Sequence, residues 1–183
     1  MNGQTDNRAV LQGEVLALTQ RSVRGREYEL RRGDQVIGWL RFPPGTRSTA
    51  LAEGIETGSI TLTARSGRVV VAGGPDAAAT IATVERERGG AAAIRPVQGP
   101  ALRWQRAGRR HRWAIEDRDA TLLRVTAAHG PLKSSVRITA QQEIPAPTVV
   151  LLCLIGGFLA LRELQAEADG SAAVAGIVAT GAG

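Results

Sequence analysis

Two histidines, one cysteine, a short acidic run and a knot of arginines are the residues here whose types and spacing bear on chemistry. His111 falls in a basic hairpin and His129 in a turn, and neither stands beside a serine or cysteine nucleophile motif, so they read as surface histidines rather than general bases. Cys153 is the sole cysteine. That excludes an intramolecular disulfide and a cysteine-rich metal site, and its place in an apolar run reads as a buried, inert thiol in a reducing compartment. Glu116-Asp117-Arg118-Asp119 gathers three carboxylates but lacks the spacing and the glycine of a calcium loop, and reads as a solvated turn with no metal. Gly73-Gly74-Pro75 and Gly89-Gly90 lack the lysine and following helix of a phosphate loop. No catalytic residue and no cofactor emerge, no small-molecule substrate is identified, and the chain is expected not to be an enzyme.

The arginines carry the best functional signal. Arg103, Arg106, Arg109, Arg110 and Arg112 lie between Ala101 and Trp113 with no acid among them, around an Ala107-Gly108 turn. Such a group suits lipid phosphates, at about 1 kcal/mol per basic residue near an anionic surface. The interleaved Trp104 and Trp113 also raise nucleic acid, whose bases stack on aromatic rings. Strand alternation, however, turns Leu102, Trp104, Trp113 and Ile115 inward and leaves the arginines on the outer face, which favours phosphate contact over base stacking. An ordinary solvated outer face accounts for the same alternation. The formal charge of +6 and pI near 11.0 fit an anionic partner. Yet every basic residue but Lys133 is arginine, and Ala and Gly are abundant, so a solvated, composition-driven charge is the preferred account over a dedicated anion site.

The elements that position these residues are short strands. Val15–Thr19, Tyr28–Leu30, Val36–Phe42, Ala50–Ile55, Ile60–Ala64, Val69–Ala72, Thr80–Glu85, Ala92–Val97, Leu102–Arg106, His111–Ile115, Thr121–Thr126 and Ser135–Ala140 alternate or are β-rich, at the roughly 8–12-residue spacing of all-β domains. Arg32-Gly33-Asp34 matches an adhesion motif but reads as a hairpin turn. Residues 1–14 read as a flexible terminus without a secretory signal, which points to the cytoplasm.

One stretch breaks the pattern. Pro145 to Leu164 carries no charge before Arg162 and is hydrophobic all round, so a helix there must be enclosed by protein or lipid. A helix is expected over about 147–168, with Pro147 in its first turn and Gly170 as its stop, followed by a disordered Ala/Gly-rich tail over 169–183. The uncharged run Ile144–Leu161 is 18 residues, short of the ~20 that span a ~30 Å bilayer core. It has no flanking interfacial aromatics and a central Gly156-Gly157 pair. The alternative enclosure is a barrel of about a dozen strands, wide enough to need a plug, with Gly156, Gly157 and Ala160 admitting a close wall.

Gly25-Arg26-Glu27-Tyr28-Glu29-Leu30, the strand Val36–Phe42 followed by Pro43, the many short strands and the terminal apolar helix together resemble the tubby C-terminal-like superfamily, which includes LURP-one-related proteins and phospholipid scramblases. The resemblance covers roughly residues 15–165 and rests on order and pattern. It implies a mainly β fold, a 12-stranded antiparallel barrel enclosing one hydrophobic C-terminal helix, in a single domain over 15–168. Tubby members bind phosphoinositides and scramblase members associate with membranes, while many LURP-one-like members have no established activity; no residue-level lipid or calcium motif carries over. The expectation is a non-enzymatic binding or scaffold module, cytoplasmic or peripheral at a membrane, that meets anionic phospholipid headgroups through Arg103–Arg112. A small tail-anchored membrane protein is the alternative, and a nucleic-acid-binding module the weaker one.

Overall fold

A computed structural model describes residues 9–22, 25–55, 57–74, 78–108, 111–118, 120–129 and 133–180, with backbone alone from residue 170 onward. Twelve strands follow in chain order: β1 Val15–Gln20, β2 Glu27–Arg32, β3 Gln35–Arg41, β4 Thr49–Gly54, β5 Gly58–Arg65, β6 Arg68–Gly73, β7 Ala79–Arg86, β8 Ala92–Pro96, β9 Leu102–Arg106, β10 Arg112–Asp117, β11 Ala120–His129 and β12 Ser134–Ala140. Each pairs antiparallel with its neighbours in sequence, and β1 pairs with β12 to close the barrel. Closure removes the unpaired edges that an open sheet must protect.

Period-2 alternation explains the wall. Leu16 and Leu18, Ile60 and Leu62, Val69 and Val71, and Val136 and Ile138 all point inward and are buried, while the residues between them face out. At the β5–β6 turn Arg65 pairs with Arg68 across Ser66 and Gly67, whose φ angles of 49° and 80° make the two-residue turn that matches strand twist. Register shifts between Leu30 and Arg31, Val71 and Ala72, and Ile115 and Glu116 are bulges that add local twist to the wall.

The barrel encloses the helix α1, Ala146–Thr180. Val149, Val150, Leu152, Cys153, Leu154, Ile155, Phe158, Ala160 and Leu161 are buried on every side of it, which meets the demand set by its all-round hydrophobicity. Gly157 lacks the side chain that would strike Leu18: a Cβ there would sit 2.0 Å from the leucine Cδ1. A Cβ at Gly156 would meet Ile115 and Trp104 at 3.4 Å. Gly157 is therefore a point of close approach between wall and helix, as is Gly54 of β4 against Val150.

Two boundaries differ from expectation. Residues 9–14, grouped by the sequence with a flexible terminus, are tied down: Val10 exchanges backbone hydrogen bonds with Ile144 at 2.9 and 3.0 Å and is 1% exposed. The pattern is missed because only one apolar residue in the segment is used, whereas residues 1–8 lie outside the described residues. The helix also does not stop at Gly170 but continues to Thr180 through residues expected to form a disordered tail. A helical glycine costs about 1 kcal/mol relative to alanine, and the alanines around it are the best helix formers. Residues 181–183 lie outside the described residues.

Candidate functional site

Strands β9 and β10 position the arginine group. Trp104 and Trp113 alternate inward and are 2% and 1% exposed. Their rings stack at 5.6 Å and 14°. Buried indole faces cannot receive nucleic-acid bases, so base stacking of the kind single-stranded binders use is closed to these two residues.

The described arginines of the group, Arg103, Arg106 and Arg112, do not form one patch. Arg103 faces out and lies 3.6 Å from Glu87, an exposed pair that neutralises it. Arg109 and Arg110 lie outside the described residues. Arg112 is exposed on the outer face, with no carboxylate partner among the described residues. Arg106 corrects the expectation that all the arginines point outward. It shares the inward parity of Leu102 and Trp104, pairs in register with Trp113, and sits at the strand end, so it emerges at the barrel mouth rather than in the core. There its Nη2 donates to Glu163 and Glu167 of α1 at 3.3 and 3.4 Å. Trp113 Nε1 donates to the same Glu163 carboxylate at 3.1 Å, and His111 Nε2 lies 3.8 Å from Glu167. This part of the hairpin fastens the wall to the helix.

Glu116 of the acidic run is likewise in structural use, while the side chain of His129 lies outside the described residues. Glu116 accepts from Gln105 at 2.6 Å and from Thr121 at 3.5 Å beside the turn at Arg118, whose φ is 54°. Asp119 lies outside the described residues. Among the described residues no three His, Cys, Asp or Glu side chains come together as a metal site. Cys153 is buried in α1, where burial pushes its thiol pKa far up and keeps it protonated.

The outer face of β10, β11 and β12 holds what the sequence reading missed. Arg112 is opposite Thr126 on β11, and Thr126 is opposite Arg137 on β12. Arg124 precedes Thr126 by one outward position on the same strand. Arg112 and Arg137 are thus two strand spacings apart, about 10 Å, with Thr126 between them and Arg124 two residues away along β11. All three are exposed, and none has a carboxylate partner among the described residues. Several other arginines on the wall are paired, Arg31 with Glu29 at 2.7 Å, Arg68 and Arg95 with Glu85 at 3.5 and 3.6 Å, and Arg103 with Glu87, whereas Arg41, Arg65 and Arg86 have no carboxylate partner among the described residues but stand on separate strands. The signal was present, since Leu123, Val125, Val136 and Ile138 set the parity that turns Arg124 and Arg137 outward. Bringing them beside Arg112 also requires knowing that the chain meanders strand by strand.

Fold and wall together define a closed twelve-stranded antiparallel barrel threaded by an apolar C-terminal helix, with a basic outer face. No protein-family model matches the chain, and no curated protein matches it. Among solved structures the chain is similar to the X-ray structure of an Arabidopsis thaliana protein, with a TM-score of 0.51 and 13% identity over 81% of this chain and 93% of that one. At that identity the likeness is one of fold.

Proposed function

We propose that this chain is a non-enzymatic, tubby-like binding or scaffold module that meets anionic phospholipid headgroups through the outer face of β10–β12. The observation that carries the reading is the group Arg112, Arg124 and Arg137, exposed and without carboxylate partners among the described residues, on a wall whose other arginines are largely paired. Of the hairpin first read from the sequence, Arg112 contributes to this face. Supporting it is the barrel likeness to the Arabidopsis protein, itself a LURP-one-related protein. Three arginines near an anionic surface supply about 3 kcal/mol, enough for weak, salt-sensitive peripheral attachment. Co-sedimentation with vesicles rich in anionic lipid tests it. Binding at low salt should fall by more than tenfold when Arg112, Arg124 and Arg137 are all changed to Ser; no binding at low salt, or binding unchanged in the variant, refutes the proposal.

A second reading draws on the helical stretch Ala146–Asp169, within which an 18-residue window has a mean hydropathy of 1.8, apolar enough for a membrane span. Against it, 67% of that apolar window is buried inside the protein, and the strands would lose their core if it left. Carbonate extraction separates the two, because a span stays with the membrane pellet and a barrel plug is released.

A further inference from the structure

The helix does not occupy the barrel evenly. Its nearest strands are β11, β3, β12 and β4, and Gly157 lies against Leu18 of β1. It therefore leans towards one side of the wall. On the other side, where α1 leaves the barrel, a cavity of about 250 Å³ lies between the helix and β5–β9. Its lining includes Arg65, Arg68, Arg86, Trp104, Arg162 and Glu163.

Two of these charges are already engaged. Arg68 pairs with Glu85, and Glu163 accepts from Trp113 and Arg106. Arg65, Arg86 and Arg162 have no carboxylate partner among the described residues. Arg86 continues the inward parity of Ala82 and Val84 to the end of β7, so it faces α1 at the mouth. Arg162 stands over the Phe158 ring at 5.6 Å. Burial first, and then repulsion from Arg86, hold its guanidinium pKa below the ordinary value. A third observation is independent of charge: Trp104 is 2% exposed, and its indole N–H is buried with no hydrogen-bond partner. A buried donor left in that state costs about 1–3 kcal/mol.

We propose that this mouth cavity is an oxyanion site for a phosphate or phosphate-monoester group, held by Arg86 and Arg162, with Arg65 at the rim and the Trp104 N–H as a neutral donor. The donor set selects the class of ligand. A carboxylate carries one charge and two oxygens, which a single guanidinium satisfies in a forked pair. Several guanidinium groups and an indole N–H call for the higher charge and additional oxygens of a phosphate. The cavity is smaller than the roughly 300–1,000 Å³ of drug-sized sites, which suits one small group. It lies apart from the outer face of β10–β12.

The test is a tryptophan-fluorescence titration of the full chain with inorganic phosphate at constant ionic strength, in a Trp39→Phe background so that Trp104 and its stacked neighbour Trp113 supply the signal. A saturable change is expected, and Arg86→Gln should weaken it by at least about tenfold, the scale of one hydrogen bond to a charged group. Arg86 is exposed, so its replacement leaves the core intact; Arg162→Gln should act in the same direction. Arg124→Ser with Arg137→Ser should leave the phosphate midpoint unchanged, which separates this site from the wall proposed above. The source of the group is read by adding phosphatidate vesicles: competition that Arg86→Gln abolishes marks a lipid headgroup, and its absence marks a soluble phosphate. An equal response to chloride, or an unchanged midpoint in Arg86→Gln, overturns the proposal.

Discussion

Replacing Phe158 by alanine should cost this protein much of its stability, because its ring is one of the side chains that pack α1 against the wall. Phe158 is fully buried, stacks on Phe42 just beyond the end of β3 at 5.8 Å and 14°, and lies beneath the Arg162 guanidinium. Emptying a buried phenylalanine site costs about 3–5 kcal/mol, and the wall, closed by hydrogen bonds all round, has little freedom to collapse into the space. The loss belongs at the upper end because an aromatic pair, worth about 0.5–1.5 kcal/mol beyond its buried area, goes with it. Native domains are stable by only about 5–15 kcal/mol, so the variant should be marginal. Urea denaturation followed by tryptophan fluorescence reads the change: with a slope near 2 kcal/mol per molar, the midpoint should fall by about 1.5–2.5 M. Phe42→Ala should behave alike, and the double variant should lose less than the sum of the two, since the ring contact can be removed only once. A fall equivalent to less than about 1 kcal/mol would mean that the helix is not part of the barrel core.

Three further outcomes follow from the same packing. Gly157→Ala should be less stable than Gly156→Ala in chemical denaturation, because the new methyl at 157 displaces the buried Leu18 Cδ1 whereas that at 156 meets neighbours at 3.4 Å; overpacking costs about 1–3 kcal/mol against the roughly 1 kcal/mol that alanine gains in a helix. Equal stability of the two variants would contradict the close approach. Cys153 should resist a thiol reagent in the native protein and react only as fast as the chain opens, since burial keeps the thiol protonated and out of reach; rapid native labelling would place it outside the core. Glu14 has its pKa lowered chiefly by the hydrogen bond from Arg32, whose Nη2 lies 2.9 Å from Oε2. That contribution, about 0.5–1 kcal/mol for a partly exposed pair, is present above 4.5 and lost as pH falls through the depressed folded value. Glu14→Gln should flatten this part of the pH profile of the denaturation midpoint, and an unchanged profile would remove the pair from the account.

The barrel was legible because its signals are local and repeated. Ile60 and Leu62 alternate with the hydroxyls of Thr61 and Thr63, the Val69–Val71 run follows Ser66-Gly67, and that turn is found between β5 and β6. Likewise Gly156 and Gly157 mark where the wall touches the helix. The functional face was less legible because its residues come from separate strands. Arg112 was visible within a dense run, whereas Arg124 and Arg137 each stand alone in their segments and meet Arg112 only through pairing on β11.

Parity also explains why the mouth is chemically uneven. Arg86 and Arg106 each continue an inward series, after Ala82 and Val84 on β7 and after Leu102 and Trp104 on β9, but at strand ends, where inward means towards the exit of α1. The helix presents different residues to the two. Glu163 and Glu167 meet Arg106 and tie the β9–β10 hairpin down, while Arg162 lines the same cavity as Arg86 and adds a second cation. If the mouth served only to hold the helix, a carboxylate facing Arg86 would do so better than another arginine. The cavity, the buried Trp104 N–H and the opposed guanidinium groups instead share one side of the helix, and that arrangement is what distinguishes a binding mouth from a mere fastening.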